Sequence, residues 1–123
     1  NVRLLVFDIN HIEQIFAPGE VSRFFINFCD PWPKKRHAKR RLTYRNFLEK
    51  YRGILRKGGE LHFKTDNRPL FDFSLEEFEA AHLTVRDISF DLHSESREDN
   101  IETEYERKFS ARGEKIYRCE VLF

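Results

Sequence analysis

Residues 22–65 read SRFFINFCDPWPKKRHAKRRLTYRNFLEKYRGILRKGGELHFKT, and this stretch sets the fold class. Its start, Ser22–Phe28, is a β-rich apolar run halted by Asp30-Pro31-Trp32-Pro33. Two prolines so close forbid regular structure and stiffen the loop. From Thr43 to Lys57 the apolar spacing becomes helical, with Tyr44, Phe47, Leu48, Tyr51, Ile54 and Leu55 on one face. Gly58-Gly59 is expected to end that helix. Glu60–Thr65 then alternates like a strand. Strand, helix, strand in succession implies a right-handed crossover between parallel strands.

The pattern continues on both sides. Asp66-Asn67 is suited to cap a helix with Pro69 in its first turn, and Leu70, Phe71, Leu75, Phe78 and Ala81 give that helix an apolar stripe. Leu83–Leu92 alternates with period two, a strand with one polar face. His93–Asn100 reads as a loop, Ile101–Arg112 as a helix stopped by Gly113, and Lys115–Phe123 as a final strand. Toward the N-terminus, Ala17-Pro18-Gly19 is a turn and Val2–Phe7 is an apolar run fit for a buried strand. The fold class is therefore α/β with a mostly parallel sheet, the last two strands being open to antiparallel pairing. No repeat or linker divides the chain, so residues 1–123 are expected to form a single domain. The chain contains no Met and opens with Asn1 inside a strand-like run, which suggests a domain truncated at its N-terminus.

At 123 residues with 40% hydrophobic content, 13 Phe, 4 Tyr and 1 Trp, the chain is too apolar to be disordered as a whole. A domain of this size buries roughly two-thirds of its unfolded surface. No uncharged apolar run approaches the roughly 20 residues of a membrane helix, and the first residues do not show the basic-then-apolar pattern expected of a signal peptide. Two cysteines, Cys29 and Cys119, make neither a disulfide framework nor a metal spacing, which fits a reducing cytoplasm.

The net charge of +1 conceals an asymmetry. Residues 34–45, KKRHAKRRLTYR, hold seven basic groups and no acid, and the remainder carries 15 basic against 21 acidic groups. A concentrated positive patch on an acidic body points to a polyanionic partner, although short basic runs also occur as solvated helix faces or localisation signals. Ligands of open α/β sheets bind at the carboxyl ends of the strands, and three such ends carry acids: Asp8, Asp30 and Asp66. A single aspartate there is most often a helix or turn cap. Three along one edge, with the basic run directly after Asp30, argue for a site. The histidines are scattered without metal spacing, and no phosphate loop, GxGxxG or GxSxG motif occurs. Trp32, between prolines, is either a packing residue or a base-stacking platform, packing being the commoner use.

Residues 27–44, NFCDPWPKKRHAKRRLTY, resemble the signature of the bacterial tRNA (guanine-N7)-methyltransferases. The resemblance continues through GELHFKTDNR at 59–68, Asp91-Leu92-His93, Thr103-Glu104-Tyr105-Glu106, Lys108-Phe109 and Ile116-Tyr117-Arg118, so it covers essentially the whole chain. It implies a class I (Rossmann-like) methyltransferase fold, S-adenosylmethionine as cofactor, and a guanosine in the tRNA variable loop as acceptor. The same resemblance implies Asp8 and Asp30 as cofactor-binding residues and Asp30 and Asp66 as catalytic ones. Lys34, Asp66, Thr103, Glu104, Tyr105 and Glu106 would contact substrate, and Arg36, His37, Ala38, Lys39, Arg40 and Arg41 would contact RNA. The resemblance further implies tRNA as the partner, with no membrane and no metal, and a monomer or homodimer is expected. The family's glycine-rich cofactor loop and the acid after its second strand would both precede Asn1. Two smaller departures are Cys29, where the family often has Ser, and Ala38, where an acid is common. An alternative is a non-catalytic RNA-binding fragment or subunit that uses residues 34–45.

The chemistry suits these residues. Guanine N7 carries an available lone pair that attacks a sulfonium methyl in line, so no proton must leave first and no general base is obligatory. Positioning can supply up to roughly 7–11 kcal/mol. Selecting guanine requires acceptors facing N1–H and N2–H2, for which Asp66 or Glu106 is the natural carboxylate.

Overall fold

The computed structural model describes residues 2–92, 103, 107 and 114–123. Apart from Thr103 and Arg107, whose N–H donates to Thr103 O at 3.0 Å, the expected 101–112 helix lies outside these residues, Glu104, Tyr105 and Glu106 included, as does the 93–100 loop. Among the described residues four strands form one sheet: β1 (Val21–Asn27), β2 (Leu55–Thr65), β3 (Thr84–Ser89) and β4 (Tyr117–Leu122), in the order β1-β2-β4-β3. Helix α1 (Arg45–Ile54) joins β1 to β2, which pair in parallel, and α2 (Arg68–Ala80) joins β2 to β3. Strand β4 lies antiparallel to both β2 and β3. The expected antiparallel pairing is thus confined to the last strand, and β3 runs in the same direction as β1 and β2.

Successive strand residues face opposite sides of a sheet. Phe24 and Ile26, Leu61 and Phe63, and Cys119 and Val121 share one face through their pairings. Both helices cover it: Tyr51 of α1 stacks on Phe24 at 4.7 Å, and Phe71 and Phe78 of α2 meet Phe63 at 6.2 and 6.3 Å. The helix faces are those the spacing indicates, with Phe47, Leu48, Tyr51 and Ile54 buried on α1 and Leu70, Phe71 and Phe78 on α2. Asn67 caps α2 by accepting a hydrogen bond from Leu70 N at 2.8 Å, with Pro69 in the first turn.

Two elements depart from expectation. Helix α1 stops at Ile54, and β2 begins at once with Leu55. Gly58 and Gly59 therefore do not end a helix but lie inside β2. The stretch Leu55–Glu60 opposes only Val21–Arg23 of β1. That bulge needs Gly58 at φ 76°, and Gly59 is closed to a side chain because a Cβ there would sit 2.9 Å from Arg56 O. Residues 2–7 form no strand, and Val2, Leu4 and Val6 are 86, 94 and 101% exposed. An apolar run becomes a strand only against a partner ladder, and among the described residues β1 pairs with β2 alone.

One buried polar contact ties the approach to α1 to α2. Ser74 Oγ donates to Leu70 O at 2.7 Å, so the 2.7 Å bond between Thr43 and Ser74 must have Thr43 as donor. Both residues are fully buried. Thr43→Val should cost about 1–3 kcal/mol. The double variant Thr43→Val/Ser74→Ala should cost less than the sum of the singles, a coupling that denaturant unfolding of the four proteins measures.

Candidate functional site

Strands β1 and β2 end side by side. Asn27 pairs with Lys64, and Phe28 N donates to Lys64 O at 2.9 Å. Asp30 follows Asn27 by three residues and Asp66 follows Lys64 by two, so both aspartates lie at the carboxyl edge of one parallel pair. Asp30 is exposed and Asp66 half-buried. The backbone beside Asp66 is fixed from both sides, since Thr65 is buried and its Oγ1 accepts a hydrogen bond from Asn67 N at 3.1 Å.

Asp8 has a more local setting. It caps a 3-10 helix, Ile9–Gln14, and its Oδ1 accepts from Asn10 N and Asn10 Nδ2, both at 2.9 Å. These bonds hold its carboxyl below the ordinary aspartate range, so it is ionised at neutral pH. The cap reading therefore holds for Asp8, while its exposed carboxylate stays accessible to a ligand.

Between Asp30 and α1 the basic run folds into a second 3-10 helix, Lys35–Arg40, with Lys34 as its extended N-cap residue. Lys34, Lys35, Arg36, Lys39 and Arg40 are exposed; His37 and Ala38 are half-buried. Trp32 is half-buried, with the His37 ring edge-on at 5.5 Å and the Arg40 guanidinium 5.0 Å from its ring centre. Arg41 turns the other way. Its Nε donates to Pro31 O and Trp32 O at 3.1 Å, its Nη2 to Trp32 O at 2.9 Å, and its guanidinium lies 4.4 Å from the Phe73 ring centre. The sequence placed all these cations in one group, and nothing in their spacing distinguished Arg41.

The sheet face opposite the helices is polar. Arg23, Phe25 and Asn27 stand beside Glu60, His62 and Lys64, which stand beside Glu120 and Arg118, and together with Arg86 and Thr103 they line a cavity of about 540 Å3. Glu60 bridges Arg23 at 3.2 Å and also Arg86, and Glu120 accepts from Arg86 at 3.2 Å and Arg118 at 3.1 Å. Burial raises the Glu60 carboxyl, but the neighbouring Arg86 and Arg23 guanidiniums outweigh it and hold it below its ordinary value. Burial likewise lowers His62, although Glu120 and Glu60 oppose that, so the imidazole is neutral at pH 7. Sequence alternation marked residues 60, 62 and 64 as one face, but not which strand stood beside them. Thr103 joins Asn27 and Lys64 in this lining, which brings one member of the expected 103–106 substrate stretch toward the strand ends. Among the described residues no group of three or more His, Cys, Asp or Glu side chains could hold a metal ion. No described helix is long and apolar enough to cross a membrane.

A family model described as "Putative methyltransferase" matches residues 1–119. The chain is 56% identical over 121 residues to a tRNA (guanine-N(7)-)-methyltransferase of Bacillus subtilis strain 168, covering 98% of this chain and 57% of that protein. Proteins of the same name from Halalkalibacterium halodurans and an Exiguobacterium species are 53% and 54% identical over 123 residues, which is all of this chain and 56% and 57% of theirs. The chain thus spans a little over half the length of these relatives.

Proposed function

The chain belongs to the methyltransferase family whose model it matches over residues 1–119, its mixed sheet being that of a class I fold, and from that premise we propose that it serves methyl transfer from S-adenosylmethionine to N7 of a tRNA guanosine. The observation that carries this reading is the pair of aspartates at the ends of two adjacent parallel strands, with exposed cations beginning four residues after Asp30. The names of the relatives supply the acceptor.

The residues present fit the cofactor's charge. The donor supplies a methyl group on a positively charged sulfonium and carries an ammonium group, and the Asp8 and Asp30 carboxylates complement both. Asp66 faces the N1–H and N2–H2 edge of guanine, and Thr103, Glu104, Tyr105 and Glu106 supply further substrate contacts. Lys34, nearest the strand end, orients the nucleotide. Lys35, Arg36, Lys39 and Arg40 meet phosphate, and Trp32 with Arg40 presents a stacked aromatic and cation beside them. The protein supplies position rather than a base, since N7 needs no deprotonation. Cytoplasmic work suits the two thiols, which are not paired with each other. Burial pushes Cys29 up to about 11 and Cys119 up to about 12, leaving both inert.

The test incubates the 123-residue chain with labelled S-adenosylmethionine and tRNA and digests the product for N7-methylguanosine. Its appearance supports the reading. Salt-sensitive tRNA binding without cofactor binding or product would instead favour an RNA-binding fragment. In the same binding assay, replacing Lys35, Arg36 and Lys39 together with Ala should flatten the log–log salt dependence by about 2–3, at roughly 0.7–0.9 per phosphate contact. An unchanged slope would remove this segment from the RNA interface.

A further inference from the structure

We infer that Arg41 is a positioning residue, which locks the Asp30–Pro33 loop in the shape that presents Asp30 and Lys34 and is not spent on RNA phosphate; this rests on the function proposed above. The loop cannot hold itself. Pro31 and Pro33 have no N–H, so the local backbone lacks the donors that would close a turn. Trp32 sits at φ 43° and Phe28 at φ 54°, left-handed backbone that non-glycine residues keep only where their surroundings enforce it. At Trp32, Arg41 supplies that enforcement. A guanidinium fork reaches two neighbouring carbonyls at once, and Arg41 donates to both Pro31 and Trp32.

The other end of the clamp rests on a half-buried ring that packs against the core. The Arg41 guanidinium stacks on Phe73 of α2, the helix whose Phe71 and Phe78 pack on the sheet. Its own backbone is held by Arg41 N to Ala38 O at 3.2 Å and Tyr44 N to Arg41 O at 3.0 Å. The basic run therefore splits by geometry. Lys35, Arg36 and Lys39 are exposed, and the exposed Arg40 lies over the face of Trp32, whereas the half-buried Arg41 spends its donors on the loop that follows β1. Asp30 and Lys34 flank that loop, so its shape sets where both side chains stand.

Trp32 is the single tryptophan, so intrinsic fluorescence reports on this loop directly. Arg41→Ala, Arg41→Lys and Lys39→Ala are compared with the unaltered chain at a temperature where circular dichroism shows all four folded. Both Arg41 variants should red-shift Trp32 emission and increase its quenching by acrylamide, because an ammonium cannot replace the fork. Lys39→Ala should do neither, but should lower the tRNA salt slope by about 0.7–0.9, which the Arg41 variants should leave unchanged. In methyl transfer the Arg41 variants should lower kcat by up to ~10²-fold with KM for tRNA retained. Unchanged Trp32 quenching overturns the clamp. A slope lost in Arg41→Ala and restored in Arg41→Lys makes Arg41 a phosphate contact. A loosened Trp32 with unchanged kcat overturns the positioning role. If the unaltered chain neither binds nor methylates tRNA, the proposed function fails, and fluorescence still decides the clamp. If Arg41→Ala does not fold, Arg41→Lys carries the same comparison.

Discussion

Asp66→Asn is expected to lower methyl transfer to guanosine about 10²–10⁴-fold while leaving the fold in place. In the proposed reading the carboxylate accepts from guanine N1–H and N2–H2, and two charge-assisted hydrogen bonds at about 1.5–3 kcal/mol each account for that range. Asparagine keeps the shape but turns an amide donor toward donors, so it removes attraction and adds repulsion. The local backbone does not depend on the side chain. Thr65 is buried in β2, and Asn67 caps α2 through Leu70 N. A charge near the N-terminus of α2 contributes about 0.3–1 kcal/mol, so the melting temperature should shift by only a few degrees. The assay is the rate of N7-methylguanosine formation at saturating cofactor, with circular dichroism as the control for folding. Full activity in Asp66→Asn would take guanine recognition away from this residue and pass it to the 103–106 stretch.

Much of this arrangement is legible in the sequence, because it rests on local chemistry. The period of Tyr44–Leu55, the Asn67-Arg68-Pro69 helix start and the break at Asp30–Pro33 are properties of neighbouring residues. They correctly place α1, α2 and the two loops that carry Asp30 and Asp66. What fails depends on distant partners. Residues 2–7 have strand propensity, yet no described strand receives them. Gly58-Gly59 looks like a helix stop, but pairing with Val21 and Arg23 draws Leu55 onward into β2, and the glycines serve the resulting bulge. The cavity is invisible for the same reason. His62 and Glu120 lie 58 residues apart in sequence and become neighbours only because β4 inserts between β2 and β3. Arg41 is the sharpest case, since the six Lys and Arg residues between 34 and 41 look alike until the loop they follow folds back on one of them.

The two faces of the sheet make the strongest stability prediction. Phe71→Ala should cost about 3–5 kcal/mol. The ring is fully buried, stacked on Phe63 at 6.2 Å and Tyr117 at 5.5 Å, with the edge of Phe90 at 5.5 Å. Truncation removes the residue that seats α2 on both β2 and β4, and it leaves a cavity that three rigid rings cannot collapse to fill. Against a total stability of about 5–15 kcal/mol, the melting temperature should fall by more than ~10 °C. Phe71→Leu, which keeps most of the volume, should cost about 1.5 kcal/mol. Phe25 provides the contrast. It lies one residue from Phe24 but on the opposite face, is 54% exposed and, among the described residues, has a ring contact with His62 at 5.1 Å. Phe25→Ala should stay within about 0.5 kcal/mol. Equal losses at Phe71 and Phe25, by thermal or denaturant unfolding, would mean that the polar face is packed as tightly as the helical one. A further consequence ties this core to chemistry. The first turn of α2 is capped by Asn67, next to Asp66, so a variant that loosens α2 should lose activity at temperatures well below its own melting point, whereas Phe25→Ala should not.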